Sequence, residues 1–188
     1  MLEHIRGRIV DKSPAHVVIE SGGVGYRLLI PLSTYDRLPD DGEAKLFVSL
    51  YLRDNDVRLY GFYSEDERAL FEALMSVSGV GPATALSVLS SADTESIRSA
   101  VEEGDVLLFQ GVKGIGRKTA QRIILELKGY LERRETEELG GVLNDAVLAL
   151  MKLGYPNQSA QNAVRAARQK LGKDATLEQL VREALKNV

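Results

Sequence analysis

Through its first third the chain alternates apolar and polar residues with a period near two, the pattern of half-buried strands. Residues 5–10, 16–21, 24–30, 46–52 and 57–63 predict five short strands. Gly22-Gly23 predicts a tight hairpin between the second and third, and Arg53-Asp54-Asn55-Asp56 another between the last two. From Ser64 the apolar spacing changes to three and four. Ser64-Glu65-Asp66-Glu67 reads as a capping box, and Leu70, Phe71, Leu74, Met75 and Val77 follow on one helical face. Asp93 predicts the cap of a helix over 94–102, with Gly104 as its stop, and residues 106–109 form a further apolar run. The stretch 131–141 is polar, charged and ends in two glycines; it reads as a linker, helical at most at its start. Three more helices follow at about 142–153, 159–171 and 177–187, with Gly154 and Gly172 as stops and Thr176-x-x-Gln179 as a capping box.

Within the helical region one short pattern occurs twice. Ser78-Gly79-Val80-Gly81-Pro82-Ala83-Thr84-Ala85 and Lys113-Gly114-Ile115-Gly116-Arg117-Lys118-Thr119-Ala120 coincide at both glycines, the Thr and the Ala when offset by 35. An apolar helical run precedes and follows each copy, so the repeated unit is helix, tight turn, helix. Glycines in such a turn bring bare backbone close to whatever it faces. A helix N-terminus adds unpaired N–H groups and the positive end of the dipole, which together hold anions. Pro82 falls at a first helical position, where its missing N–H costs nothing. A single Gly-x-Gly is most often only a cap. The repetition, and Lys113, Arg117, Lys118 and Arg122 around the second copy, point instead to a module that grips the backbone of a nucleic acid.

Composition changes that picture little. Of 188 residues, 44% are hydrophobic and 27% charged, ordinary values for a globular chain. No apolar run approaches the roughly 20 residues of a membrane span, and no signal-peptide core follows Met1; a cytoplasmic location fits. Cysteine is absent, which removes disulfides, thiolate metal sites and a Cys nucleophile. The net charge of −3 argues at first against a polyanion partner. Its distribution answers this: residues 113–128 hold five Lys or Arg against Glu126 alone. Local potential decides where a polyanion lands.

The repeated pattern resembles the helix-hairpin-helix motif in tandem, and the five strands suggest a small closed barrel of the oligonucleotide-binding (OB) type. The first resemblance implies phosphate contacts from Gly79, Val80, Gly81, Gly114, Ile115 and Gly116, with Lys118 as a side-chain contact and no base reading. Lys113, Arg117 and Arg122 are candidates beside them. Ala83 stands where the second copy has Lys118, so the first grip is expected to be weaker or to rely on amides. On the barrel, Tyr26, Tyr51, Tyr60, Phe62 and Tyr63 alternate in a way that suits a core better than a stacking platform.

Taken whole, the order of parts resembles the RuvA family, DNA-binding subunits of the bacterial machine that migrates Holliday junctions. The marks are Gly22-Gly23-Val24-Gly25-Tyr26, Leu59-Tyr60-Gly61-Phe62, the two hairpin turns and Leu153-Gly154-Tyr155. The implied fold is multidomain: an OB-fold barrel over 1–63, a central all-α domain with tandem helix-hairpin-helix motifs over 64–131, a flexible linker over 132–141, and a three-helix UBA-like module over 142–188. The implied partners are four-way junction DNA, further copies of the chain in a homotetramer or two stacked tetramers, the AAA+ ATPase RuvB, and the resolvase RuvC. Asp54 and Asp56 would form an acidic pin at the crossover, holding strands apart by repulsion. Asx residues are also ordinary turn chemistry, and composition alone favours that reading of the tip. Leu143, Val147, Leu150, Met151 and Leu180 are candidate contacts for RuvB. No cofactor or metal is implied, and with no Gly-x-x-x-x-Gly-Lys-Ser/Thr loop the motor's energy must come from the partner.

Rival readings fare worse. A glycosylase or metal nuclease would need carboxylates clustered beyond the hairpin, yet the next Asp after Gly116 is Asp145, and His4 and His16 lie in strand-like sequence with no ligand set. A generic duplex or single-strand clamp without junction preference is the alternative that keeps the hairpins; for single strands the acidic tip opposes it.

Overall fold

The computed structural model describes residues 2–53 and 56–187, without the side chains of 132, 133 and 135–139. The chain forms two compact units, Met1–Lys128 and Gly129–Val188.

In the first unit, β1 (His4–Ser13), β2 (His16–Ser21), β3 (Val24–Leu29), β4 (Glu43–Arg53) and β5 (Asp56–Phe62) close into a barrel in the order β1-β2-β3-β5-β4. All pairs are antiparallel except β3 with β5, where Leu28 and Leu29 lie beside Leu59 and Tyr60. The period of two places Ile5, Ile9, Val17, Ile19, Leu28, Leu46 and Val48 inside, all buried. The Gly22-Gly23 turn has φ of 60° and 79°, the left-handed pair that a tight hairpin needs. At Gly7 the constraint is space: a Cβ there would stand 2.1 Å from the Glu20 carbonyl oxygen, so β1 can approach β2 only without a side chain.

Between β3 and β4 lies a helix that the strand pattern conceals, α1 (Leu32–Arg37). Six residues are too few to show a helical period, and tertiary contacts hold this turn. The Leu32 N–H donates to Ser90 Oγ at 3.0 Å. Thr34, fully buried, donates its hydroxyl to the Glu67 carboxylate at 2.8 Å. Glu67 lies on α2 (Glu65–Ser76), whose N-cap Ser64 accepts from the Glu67 N–H as expected. The Glu67 side chain, however, takes the Tyr63 N–H at 2.9 Å in addition to Thr34. One buried carboxylate thus ties together the end of β5, α1 and the start of α2. Beside it Tyr60 and Phe62 pack on Phe71 of α2, each with ring centroids 4.9 Å apart. Those two aromatics are core. Tyr26 and Tyr51 are half-buried, and Tyr63 is exposed beneath the Arg37 guanidinium.

The unit continues through α3 (Pro82–Ser91), α4 (Thr94–Glu103), α5 (Val106–Gln110) and the start of α6 (Arg117–Lys152). Asp93 caps α4 by accepting from the Ser96 N–H, which holds its carboxyl below the usual range, and Gly104 stops the helix in the left-handed region.

The chain passes into the second unit within α6. Residues 132–141, expected as a flexible linker, have helical backbone there. Their Glu, Arg and Leu are strong helix formers, and two adjacent glycines lower that preference without abolishing it. The second unit packs the end of α6 with α7 (Asn157–Leu171) and α8 (Leu177–Ala184) around a small core of Ala146, Leu150, Ala160, Val164, Ala167 and Leu180. Thr176 and Gln179 form the full reciprocal capping box at α8.

Candidate nucleic-acid interface

The two hairpin turns, 77–81 between α2 and α3 and 112–116 between α5 and α6, are built alike from the inside out. Val77 and Val112 are buried and offer their carbonyls to the N–H groups of Val80 and Ile115, at 3.0 and 3.1 Å. Gly79 and Gly114 make this closure possible with φ of 90° and 91°. The carbonyls of Gly81 and Gly116 then accept from Ala85 and Ala120, both at 2.9 Å, and begin the following helices. Thus Val80 and Ile115, expected among the phosphate donors, are plugs. Their side chains are buried and their N–H groups are used within the turn.

The glycine N–H groups are different. Those of Gly79, Gly81, Gly114 and Gly116 have no hydrogen-bond partner among the described residues. Gly81 and Gly116 also lack any internal reason to be glycine. Neither has positive φ, and a Cβ on either would meet nothing within 4 Å. What their lack of a side chain provides is access from outside. Each sits at a helix N-terminus; beyond Gly116 the next amides of the first turn are orphans, whereas beyond Gly81 Pro82 has no N–H and the series resumes at Ala83.

Charge is unequal between the turns. Lys113, Arg117 and Lys118 are exposed and have no carboxylate partner among the described residues. At the matching positions of the first turn stand Ser78, Pro82 and Ala83. Arg122 is also exposed, but it reaches across: Nη1 donates to the Ser78 carbonyl at 3.1 Å.

At the tip of the β4–β5 hairpin, Asp54 lies outside the described residues. Asp56 begins β5, and its carboxylate is 2.7 Å from the Arg58 guanidinium, which holds the Arg58 pKa above its ordinary value. The expected bare repulsive acid is therefore half of an ion pair at this position. Sequence spacing could have hinted at it, since residues two apart on a strand share a face. Below the tip, Leu52 and Val57 pair across the strands with 65% of each exposed, and Leu50 lies on the same face. Strand alternation alone does not reveal that this face is apolar and exposed.

In the second unit the five candidate contacts divide. Leu150 and Leu180 are fully buried and hold the module together, so they are not surface contacts. Leu143 and Val147 are half-buried and line a groove of about 270 Å³ with Asn144, Gln161 and Arg165. Met151 is exposed, with Leu148 and Leu153 more so.

Among the described residues no group of three or more His, Cys, Asp or Glu side chains could hold a metal ion. His16 is taken up locally, Nδ1 bonding Ser13 and Nε2 bonding Asp11, each at 2.8 Å. Among the described residues no helix is long and apolar enough to cross a membrane.

A closed five-stranded barrel followed by two Gly-x-Gly turns of matching φ and hydrogen bonding defines an OB-barrel protein with a tandem helix-hairpin-helix domain. The comparisons with known proteins agree part by part. Residues 1–61 match the RuvA N terminal domain, 71–128 the SAM-like helix-hairpin-helix tandem, and 141–188 the RuvA C-terminal domain. The chain is 42% identical over 190 residues to the "Holliday junction branch migration complex subunit RuvA" of Caldanaerobacter subterraneus subsp. tengcongensis, covering 100% of this chain and 99% of that one. It is 40% identical over 198 residues to the protein of that name from Prosthecochloris aestuarii, covering 100% and 98%. For Syntrophotalea carbinolica the figures are 38% over 195 residues, covering 99% and 98%. The chain belongs to the RuvA family.

Proposed function

We propose that this chain binds four-way DNA junctions without regard to sequence, as a tetramer, and recruits the ATPase motor that migrates them. The observation that carries the reading is the pair Gly81 and Gly116. Gly116 is exposed and Gly81 half-buried, a Cβ on either would enter open space, neither glycine is required by φ or packing, and both lie where orphan amides collect. A phosphate approaching that closely explains a glycine that nothing inside the molecule explains. Gly79, Gly81, Gly114 and Gly116 would donate from the backbone, and Lys113, Arg117 and Lys118 would supply field and direct contacts. The names of the full-length relatives supply the junction and the branch-migration complex.

In this reading four copies place one weak grip on each duplex arm, so avidity arises from geometry. The exposed face of Leu50, Leu52 and Val57 offers apolar area for contact between copies. Asp54 and Asp56 stand at the crossover as the pin, with Arg58 tempering the second. RuvB docks on the C-terminal module through its exposed Leu148, Met151 and Leu153. RuvC approaches the junction as a separate partner, and the complex works in the cytoplasm.

A competition gel shift tests this, with a labelled four-way junction against linear duplex of the same arm sequence at moderate salt. A strong preference for the junction, unchanged when the sequence is scrambled, is expected. Equal binding to both would leave a generic duplex clamp.

A further inference from the structure

Arg122 belongs by sequence to the second hairpin, on the first turns of α6, yet its hydrogen bond ends 44 positions earlier in the first. The acceptor is the Ser78 carbonyl, and that carbonyl belongs to the same peptide group as the Gly79 N–H. A guanidinium on the oxygen side of a peptide polarises it and strengthens the N–H on the other side as a donor. Ser78, Pro82 and Ala83 give the first turn no cation of its own.

The link runs one way. The residue matching Arg122 in the first copy is Ser87, and the residue matching Ser78 is Lys113. Ser87 is too short to return the bond. Its hydroxyl donates to Ala83 within its own helix at 2.9 Å, and Ser87 and Lys113 instead line an open groove of about 550 Å³. The two turns are near-copies, but only one side of the repeat is cross-braced.

We infer that Arg122 is a positioning residue for the first hairpin: it holds that turn at a fixed separation from the second and lends charge to the Gly79 amide, making two weak phosphate grips act as one. The inference rests on the phosphate-gripping reading above. Two tethered sites gain affinity together only when their spacing matches the ligand, and a fixed spacing raises the effective concentration of the second contact. Arg suits the task, because a planar fork can place one N–H on a carbonyl and keep its charge beside the backbone.

The test is a double-mutant cycle on the full-length chain, with linear duplex as probe and affinity followed against salt. Gly81→Ala blocks the first grip in open space, and Arg122→Ala removes an exposed side chain, so neither disturbs the core. Arg122→Ala is expected to weaken binding roughly tenfold in the wild-type background and hardly at all once Gly81→Ala is present. The salt slope should stay within a few tenths of the wild-type value. A direct phosphate contact by Arg122 would instead give equal losses in both backgrounds and a slope shallower by about 0.9; that result, or no loss from Arg122→Ala alone, overturns the brace. No loss from Gly81→Ala would overturn the grip itself, and the brace with it.

Discussion

Between the first hairpin turn and the second, the positive φ changes from 90° to 91° and the closing hydrogen bond from 3.0 to 3.1 Å. Over the same comparison Ser78 becomes Lys113, Pro82 becomes Arg117, Ala83 becomes Lys118 and Ser87 becomes Arg122. Backbone geometry is held constant while every added charge falls on one copy. The comparison sets oriented amides against long-range field, with the first turn also one amide short because Pro82 has no N–H. It also explains how a chain of net charge −3 can hold a polyanion, since the cations are spent where a second, uncharged grip can share them.

The comparison breaks most sharply at the paired glycines. Gly116→Ala should lower duplex affinity by about 10- to 100-fold, the scale of a lost hydrogen bond to a charged group. Gly81→Ala should cost several-fold less, because the field beside it is weaker. Both should melt like the parent, since a Cβ meets nothing at either site. Equal losses in binding would mean that amides alone set the grip. Gly79→Ala and Gly114→Ala reverse the pattern in stability: each forces a side chain into the left-handed region at a cost of about 1–2 kcal/mol. Thermal melts should show the two to be equivalent, whatever the charge nearby.

Lys118→Ala should weaken binding to all sequences about tenfold and flatten the dependence of log affinity on log salt by about 0.9. The mirror change, Ala83→Lys, is the smallest and most informative. It should tighten binding a few-fold and steepen the same slope. A lysine there without effect would show that the first turn does not face phosphate, and the repeat would then be structural on that side.

Much of this was legible in the sequence, because it rested on local rules. Alternation gave the five strands, and the offset of 35 gave the paired turns. Asp93, Gly104 and the Thr176–Gln179 box marked helix ends from residue type alone. What escaped depended on partners distant in the chain. Leu32–Arg37 is helical because Ser90 and Glu67 hold it, and neither is visible from a window of six residues. Val80 and Ile115 looked like donors until the carbonyls of Val77 and Val112 claimed their N–H groups. Leu150 and Leu180 could not be told from exposed neighbours such as Leu148, since a helix apolar on several sides has no single readable face. The linker misled for a related reason: high charge suits a solvated coil and a solvated helix alike.

The buried Glu67 carboxylate has one consequence of a different kind. Its Oε2 accepts from both Thr34, which precedes β4, and the Tyr63 N–H, which follows β5. The barrel and the helices cannot part there without breaking both of these buried, charge-assisted hydrogen bonds. Loss of the barrel is therefore coupled to loss of the helical layer, and heat should take Met1–Lys128 apart in a single step, with no half-melted form that keeps its hairpins and has shed its strands.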